Sequence, residues 1–258
     1  MICPYSITIP GGVQGQALGL ARALRDLGHP TRVLAPADGV PPDAGVTPLG
    51  VSVPTAANGS VAPIAPDISA QLRTIRAMRD EDFDVLHLHE PLAPGPTMTA
   101  LLVKAAPMLG TFHAAGDSAS YKYAGPALRW MLGRLRHRVA VSPDARKLAH
   151  GYLGGDYELL HNGIEIDRYA SGPTIAGDGP TIFFCGRHEP RKGLALLLDA
   201  MGHLGPDVSL WIGSDGPETE RLRAAHAGDP RITWLGRISD EEKEARLRGA
   251  DVFCTPAL

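Results

Sequence analysis

The sequence predicts an α/β protein with two Rossmann-like domains, each built around a parallel sheet. Along most of the 258 residues, short apolar runs alternate with segments of helical periodicity, which is typical of strands joined by crossover helices. A polar stretch rich in Gly and Pro, residues 171–180, interrupts this alternation and reads as a linker. A Gly-flanked loop with three cations, residues 186–193, lies between an apolar run and a helical segment, as phosphate-binding loops of α/β domains do.

Strands are predicted where short apolar runs stand between turn-forming residues. The first is short, residues 1–3, because Pro4 follows it. The other predicted strands are residues 31–35, 85–89, 108–112, 138–141, 181–185, 208–212, 232–235 and 252–255. Helices are predicted where apolar residues recur every three or four positions, at residues 13–27, 68–79, 97–105, 128–135, 143–152, 194–204, 218–227 and 240–248.

The linker separates a first domain, residues 1–170, from a second domain, residues 181–258. The second domain contains fewer strand–helix units than the first, so we expect it to be incomplete. In doubly wound sheets, ligands bind outside the carboxyl ends of the strands. We therefore expect two facing sheets with a ligand cleft between their carboxyl edges.

Composition narrows the class of protein. Apolar residues make up 44% and charged residues 21% of the chain, as in ordinary globular proteins. The formal net charge of −3 is too small for the whole molecule to attract nucleic acid. Three widely spaced cysteines predict a reducing compartment without a disulfide framework. We recognise neither a signal peptide nor an apolar run of about 20 residues, so a cytoplasmic location is expected.

The loop of residues 186–193 is the strongest candidate for a binding site. Arg187 and Arg191 each offer a planar guanidinium that grips phosphate with two hydrogen bonds, while Lys192 supplies a compact charge. Backbone N–H groups at the start of the next helix add to this field. Such a loop suits a diphosphate leaving group.

Two further candidates stand near the ends of predicted strands. Gly12 lies in a glycine-rich turn that opens the first helix and lets a phosphate or sugar approach the backbone; a plain tight turn is the alternative. His113 follows the strand of residues 108–112, where an imidazole can hydrogen-bond a ligand hydroxyl or stabilise developing charge. The alternative for His113 is a partly buried structural histidine.

The segment His-Leu-His-Glu, residues 87–90, admits a zinc interpretation because alternate strand residues share a face. No third ligand cluster accompanies it, so we interpret it as a strand end, with Glu90 turning into the cleft. Asn58, in a proline-rich loop, could donate hydrogen bonds to a polyol or simply form a turn.

Two basic regions bear on membrane contact. In the helix of residues 68–79, Ile68, Leu72, Ile75 and Met78 share a face that is flanked by arginines. We interpret this face as a core stripe; a helix lying on an anionic membrane is the alternative. A second basic region comprises Lys122, Arg129, Arg134, Arg136 and Arg138. Trp, Met and Leu are interleaved with these cations, which favours membrane contact there more than on the helix of residues 68–79.

Together these features resemble a GT-B glycosyltransferase of family 4. The matching motifs are Pro-Gly-Gly-Val-Gln at 10–14, Thr-Phe-His at 111–113, His-Asn-Gly-Ile-Glu at 161–165, the loop of residues 186–193, and Gly-Ser-Asp-Gly-Pro-Glu at 213–218. More narrowly, the chain is similar to actinobacterial phosphatidylinositol α-mannosyltransferases through residues 3–6, 24–29, 33–37, 58–62 and 82–91.

The resemblance implies an enzyme of phospholipid metabolism that transfers mannose from GDP-mannose to the inositol of phosphatidylinositol, with retention of anomeric configuration. It implies no catalytic metal and no tightly bound cofactor, since GDP-mannose is the donor substrate. Phosphatidylinositol or the membrane surface is the implied partner, with peripheral attachment at the inner face of the cell membrane.

The resemblance also implies a role for each matching position. The implied catalytic residues are His113, Arg187 and Lys192. The implied donor-binding residues are Gly12, Arg187, Arg191, Lys192, Ile238, Ser239, Asp240 and Lys243. The implied acceptor-binding residues, which position the inositol ring, are Tyr5, Gln14 and Asn58.

Two alternatives stay open. A family 4 enzyme could use another nucleotide-sugar donor or a soluble acceptor. By the resemblance, an acidic donor-binding segment and a final helix would follow residue 258, so we expect the chain to be a fragment. An inactive nucleotide-sugar-binding fragment is the second alternative.

Overall fold

The computed structural model describes residues 1–57, 60–115, 121 and 125–257. The chain forms two compact units, Met1–Ile164 and Glu165–Leu258, so the division lies ahead of the predicted end of the first domain at residue 170. The helix Ile166–Ala170 accounts for this difference. Its Arg168 Nε donates to Glu244 of the second unit at 2.5 Å.

The first unit contains a parallel sheet and an antiparallel hairpin. Its strands are β1 (Val33–Ala35), β2 (Val46–Pro48), β3 (Val53–Ala57), β4 (Ser60–Ile64), β5 (Leu86–His89), β6 (Met108–Phe112), β7 (His137–Ala140) and β8 (Glu158–Leu159). Ile2 bridges Leu34 of β1 and Leu88 of β5 in parallel. The sheet order is therefore β2-β1-Ile2-β5-β6-β7-β8, with a topological switch point between Ile2 and β5.

The described helices of the first unit are α1 (Gly12–Asp26), α2 (Ile68–Asp80), α3 (Pro96–Val103), α4 (Gly125–Leu132) and α5 (Pro143–Leu153). Asp67 and Ser142 cap α2 and α5, because each side chain accepts a hydrogen bond from a first-turn N–H. Across the described residues of the chain, none of the helices combines the length and apolar character that a bilayer crossing requires.

The second unit has a four-stranded parallel sheet. Its elements are α6 (Ile166–Ala170), β9 (Thr181–Cys185), a 3₁₀ turn (Pro190–Lys192), α7 (Leu194–Met201), β10 (Ser209–Gly213), α8 (Thr219–Ala225), β11 (Ile232–Gly236), α9 (Asp240–Gly249) and β12 (Val252–Phe253). The strand order β11-β10-β9-β12 puts a switch point between β9 and β12.

Each unit has its own apolar core. In the first unit, Ile2, Leu88 and Phe112 are buried in the central strands of the sheet. In the second unit, Phe184 of β9 and Ile212 of β10 pack with the apolar face of α7. Burial of central strands on both faces is typical of parallel sheets.

The predicted strands and helices are present, with ends displaced by a few residues. Sequence analysis did not predict β2, β8 or the hairpin of β3 and β4. The hairpin strands pair Pro54 with Pro63, and proline within a run argues against a strand. The Asn-Gly pair between them is the feature that could have predicted a two-residue hairpin.

The predicted core stripe of α2 is wrong for three of its four residues, and only Met78 is buried. Ile68, Leu72 and Ile75 are 74%, 60% and 36% exposed, whereas the buried residues of α2 are Ala70, Thr74 and Met78. The small residues Ala70 and Thr74 lie on the buried face, and α2 packs against α3. The helix therefore presents Ile68, Leu72 and Ile75 to solvent and buries Met78.

The second basic region is largely structural. Arg134 donates to the carbonyls of Leu101 and Leu102 at the end of α3. Arg138 donates to the carbonyls of Leu132 and Gly154. Lys122 lies outside the described residues.

Candidate functional site

The carboxyl edge of the first sheet carries a glycine turn beside the switch point. The turn leads into α1, whose first residue is Gly12 and whose N-cap Gly11 has no side chain to satisfy the free N–H groups. Gly12 is exposed, and a methyl group added there would meet no atom within 4 Å. The helix start is therefore open to an anionic or hydroxylated ligand.

Three imidazoles stack across the ends of β5 and β6, and we call them the histidine row: His87, His89 and His113. The ring centroids lie 4.4 Å apart for His87 and His89, and 5.3 Å apart for His89 and His113. His89 Nδ1 lies 3.0 Å from His113 Nε2, and His87 Nε2 lies 2.7 Å from the hydroxyl of Thr111.

The histidine row is uncharged at neutral pH. Burial lowers the pKa of His87 and of His113 to about 4, and it lowers the pKa of His89 well below 6.5. Neutral imidazoles offer one donor and one acceptor each. The row can therefore orient a sugar by directed hydrogen bonds, without a charge of its own.

Glu90 anchors the backbone that carries His113. Its buried carboxylate accepts from the N–H groups of His113 at 2.6 Å and Ala114 at 2.5 Å, and from the Tyr121 hydroxyl at 3.2 Å. The expectation that Glu90 turns into a ligand cleft is therefore wrong. Its φ of 48° is unusual for a non-glycine residue, and such strain is common at functional sites.

The three predicted acceptor-binding residues differ in their surroundings. Tyr5 is half-buried near Glu90, and burial raises the pKa of its phenol, with the Glu90 charge adding to the effect. Gln14 is buried, and its amide nitrogen donates to the carbonyls of Ser6 at 3.4 Å and Ile9 at 3.2 Å. Asn58 lies outside the described residues.

In the second unit, the loop of residues 186–193, which we call the cationic loop, follows β9 at the switch point. The buried carboxylate of Glu189 lies between its arginines. Glu189, whose side chain is 7% exposed, has its two oxygens 3.0 Å from Arg187 Nε and 2.7 Å from Arg191 Nη2. Both arginines are half-exposed. Each can therefore keep free N–H donors for a ligand while Glu189 holds it in place.

Contacts of His188 hold the backbone of the loop. His188 is buried, and its Nδ1 lies 2.8 Å from the hydroxyl of Thr219. The backbone N–H of His188 donates to the carbonyl of Asp215. Gly193 has a φ of 70°, and a side chain there would collide with the carbonyl oxygen of Pro256. The loop is therefore held rigid before a ligand arrives.

Lys192 is half-buried, and within the described part of the chain its ammonium contacts no acceptor. The loop thus carries three cations against the single carboxylate of Glu189. This ammonium is therefore available to bind an anion.

The remaining donor candidates lie around the start of α9. Ser239 caps the helix by accepting from the N–H of Glu242 at 3.1 Å, and Lys243 pairs with Asp240. The hydrogen bond from Lys243 lowers the pKa of Asp240 despite opposing desolvation. Ile238 lies beside Gly213, the last residue of β10, so this group stands at the same carboxyl edge as the cationic loop.

Sequence reasoning missed the organising role of Glu90 and of Glu189. Glu189 was visible inside the cationic motif, where alternating signs indicate internal ion pairs. Nothing in the sequence indicated that Glu90 would bind backbone N–H groups more than twenty residues away.

Comparison with known proteins places the chain in a family. Residues 10–168 match the model described as Glycosyltransferase Family 4, and residues 179–258 match Glycosyl transferases group 1. The phosphatidyl-myo-inositol mannosyltransferase of Mycobacterium leprae is 41% identical, covering 100% of this chain and 71% of that protein. The enzyme of that name from Propionibacterium freudenreichii is 33% identical, covering 99% and 70%.

Solved structures match the fold at low identity. Anabaena Alr3699/HepE in complex with UDP and glucose gives a TM-score of 0.67 at 15% identity, covering 99% of this chain and 73% of that chain. The catalytic domain of Starch Synthase IV from Arabidopsis thaliana gives 0.66 at 14% identity, covering 100% and 77%. The predicted GT-B class of α/β fold is confirmed, and the chain belongs to glycosyltransferase family 4.

Proposed function

We propose that this protein transfers mannose from GDP-mannose to the inositol of phosphatidylinositol, with retention of configuration. The observation that carries the proposal is the cationic loop, in which a half-buried Lys192 lacks a described acceptor beside two arginines held by Glu189. The names of the relatives at 33–41% identity support mannose as the sugar and phosphatidylinositol as the acceptor.

The loop suits the departure of a nucleoside diphosphate. As the glycosidic bond breaks, negative charge grows on the β-phosphate, where Arg187 and Lys192 would stabilise it and Arg191 would grip the diphosphate. Cations fixed in advance need little reorganisation at that moment, which is the main source of electrostatic catalysis. Because these cationic side chains would neutralise the charge on the diphosphate, the proposal requires no metal ion.

The start of α9 suits guanine. A carboxylate can accept two hydrogen bonds from the N1–H and N2–H groups of guanine, and uracil offers no such pair. Lys243 helps to keep the carboxylate of Asp240 ionised. We therefore assign base recognition to Asp240, with Ile238 and Ser239 beside the ring and Lys243 orienting the carboxylate.

The first unit would hold the sugar and the acceptor. The neutral His113 would hydrogen-bond the mannose, and the open backbone at Gly12 would approach the sugar phosphate. Tyr5 and Asn58 would position the inositol. Gln14 would act indirectly, since its amide nitrogen donates to the Ser6 and Ile9 carbonyls of the turn.

The exposed apolar face of α2 supports peripheral membrane attachment. Ile68, Leu72 and Ile75 point to solvent. The exposed Arg76 and Arg79 lie on the same helix, where both pair with Asp80. A helix of this kind lies in the headgroup region, with its apolar side chains buried and its cations near anionic lipid. We propose that α2 holds the enzyme at the inner face of the membrane.

A transfer assay tests the activity. The chain is incubated with GDP-mannose and vesicles of phosphatidylcholine with phosphatidylinositol, and mannolipid is detected by mass spectrometry. We expect product with this pair, and none with UDP-glucose or with phosphatidylglycerol in place of phosphatidylinositol. Transfer to a soluble sugar, or from UDP-glucose alone, would instead favour another family 4 activity. Binding of GDP-mannose without transfer would favour a nucleotide-sugar-binding protein.

A vesicle-sedimentation experiment tests the attachment. Leu72→Ser is expected to weaken binding to anionic vesicles by about tenfold, since burial of a leucine side chain contributes about 1.5 kcal/mol. Val85→Ser is the matched control, because Val85 is 59% exposed and Leu72 is 60% exposed. Equal binding by both variants would exclude α2 as the attachment site.

A further inference from the structure

His89 is the least accessible member of the histidine row. It has no solvent exposure, and its ring lies between the rings of His87 and His113. Its Nδ1 is 3.0 Å from His113 Nε2, while its Nε2 is buried without a hydrogen-bond partner among the described residues.

These contacts select one arrangement of protons. If His113 Nε2 carried the proton and donated to His89, then His89 would carry its own proton on the buried Nε2, with no described acceptor. A buried donor left without an acceptor is costly and rare. If His89 Nδ1 carries the proton and donates to His113 Nε2, the buried His89 Nε2 is only an unused acceptor.

We propose that His89 is a positioning residue that locks His113 into the tautomer with its proton on Nδ1. His113 then presents an N–H donor, rather than a lone pair, from its free nitrogen. The stack of His87 on His89 fixes the plane of the His89 ring. The hydrogen bonds from the His113 and Ala114 N–H groups to Glu90 fix the backbone that carries His113. The catalytic consequence rests on the proposed transfer reaction, whereas the tautomer does not.

Two substitutions of His89 separate hydrogen bonding from packing. The side-chain amide of His89→Asn can place a donor near the position of Nδ1, whereas the longer side chain of His89→Gln places it near that of Nε2. We expect His89→Gln to lower kcat by roughly 10- to 100-fold with little change in KM, as for a misplaced catalytic group. His89→Asn should recover most of the loss. Equal kcat values for His89→Gln and the wild type would overturn the claim that His89 supports turnover through His113.

Nuclear magnetic resonance of ¹⁵N-labelled imidazoles tests the lock directly, on the full chain and without substrate. The wild type should show His113 protonated on Nδ1 alone, and His89→Gln should show both tautomers. A wild-type His113 protonated on Nε2, or a mixture unchanged in the variant, overturns the inference. If the wild type transfers no mannose, the proposed function fails, and the tautomer measurement still decides the role of His89.

Discussion

The two candidate regions are each organised by one buried glutamate, yet they have opposite electrostatic character. In the first unit, Glu90 binds backbone N–H groups and lies beside a row of neutral imidazoles. In the second unit, Glu189 contacts two guanidinium groups and leaves the loop with an excess of cations. Burial sets the character of the first region, and exposed fixed charge sets that of the second.

Under the proposed function, the first region would meet the sugar and the second the diphosphate. A hexose is uncharged and is distinguished by the directions of its hydroxyl groups, so fixed neutral donors and acceptors suit it. A diphosphate is recognised chiefly by charge. Each prediction below changes one property that separates the regions.

The largest effect is expected from removing the ammonium of the second region. Lys192→Ala should lower kcat for mannosyl transfer by about 10²–10³-fold, by analogy with loss of one oxyanion donor. Lys192→Arg should retain part of the activity, since the charge stays and the geometry changes. Initial rates at saturating GDP-mannose measure both variants.

Lys147→Ala is the matched control, because Lys147 is an exposed lysine on α5 of the other unit. Turnover by Lys192→Ala at the rate of this control would show that the Lys192 ammonium does not act on the leaving group, and the largest predicted effect would be lost.

A smaller effect is expected from the carboxylate that organises the loop. Glu189→Gln should lower kcat by about fivefold, because two partly exposed ion pairs contribute on the order of 1 kcal/mol together. The KM for GDP-mannose should not rise, since the loop gains net positive charge. Steady-state kinetics separate the two effects, with Glu220→Gln on α8 as an exposed control. A lower KM with higher kcat would mean that Glu189 competes with the diphosphate.

In the first region, Glu90→Gln should change the pH dependence of stability. Burial raises the pKa of Glu90 above its ordinary 4.5, although the His113 and Ala114 N–H groups oppose this. A raised folded-state pKa means that the stability from this group is full below about 4.5 and is lost as pH rises through the folded-state pKa. Glutamine cannot ionise. The free energy of unfolding of the variant should therefore rise relative to that of the wild type as the pH increases from 4.5 to 8. Urea denaturation measures this gap, and a constant gap would contradict the assignment.

Most of the fold could be predicted from periodicity, since buried parallel strands such as β6 and β9 appear as apolar runs between helical segments. The face of α2 could not. Helical spacing shows that Ile68, Leu72 and Ile75 lie together, but not which face packs on the protein. The buried face of α2 instead carries Ala70 and Thr74 together with Met78, and tertiary packing decides this choice.

The site shows the same division. A strand end made His113 a candidate, and a cationic motif made Arg187 and Lys192 candidates, because these are local patterns; their roles stay predictions. The partner of Glu90 is set by the register of β5 against β6, which no local pattern contains. The role of Asn58 stays a prediction.

The smallest effect on turnover is expected from mild acid. Burial lowers the pKa of His113 to about 4, so the row should stay neutral and kcat should not change between pH 8 and 6 on its account. Stability behaves differently: with a depressed folded-state pKa, the contribution of His113 is present above 6.5 and is lost as pH falls towards 4. The free energy of unfolding should therefore fall over that interval, with a shallower slope in His113→Gln. A proton NMR titration of the His113 ring with its midpoint near 6.5 would show that the ring is hydrated, and the contrast between a neutral region and a charged one would fail.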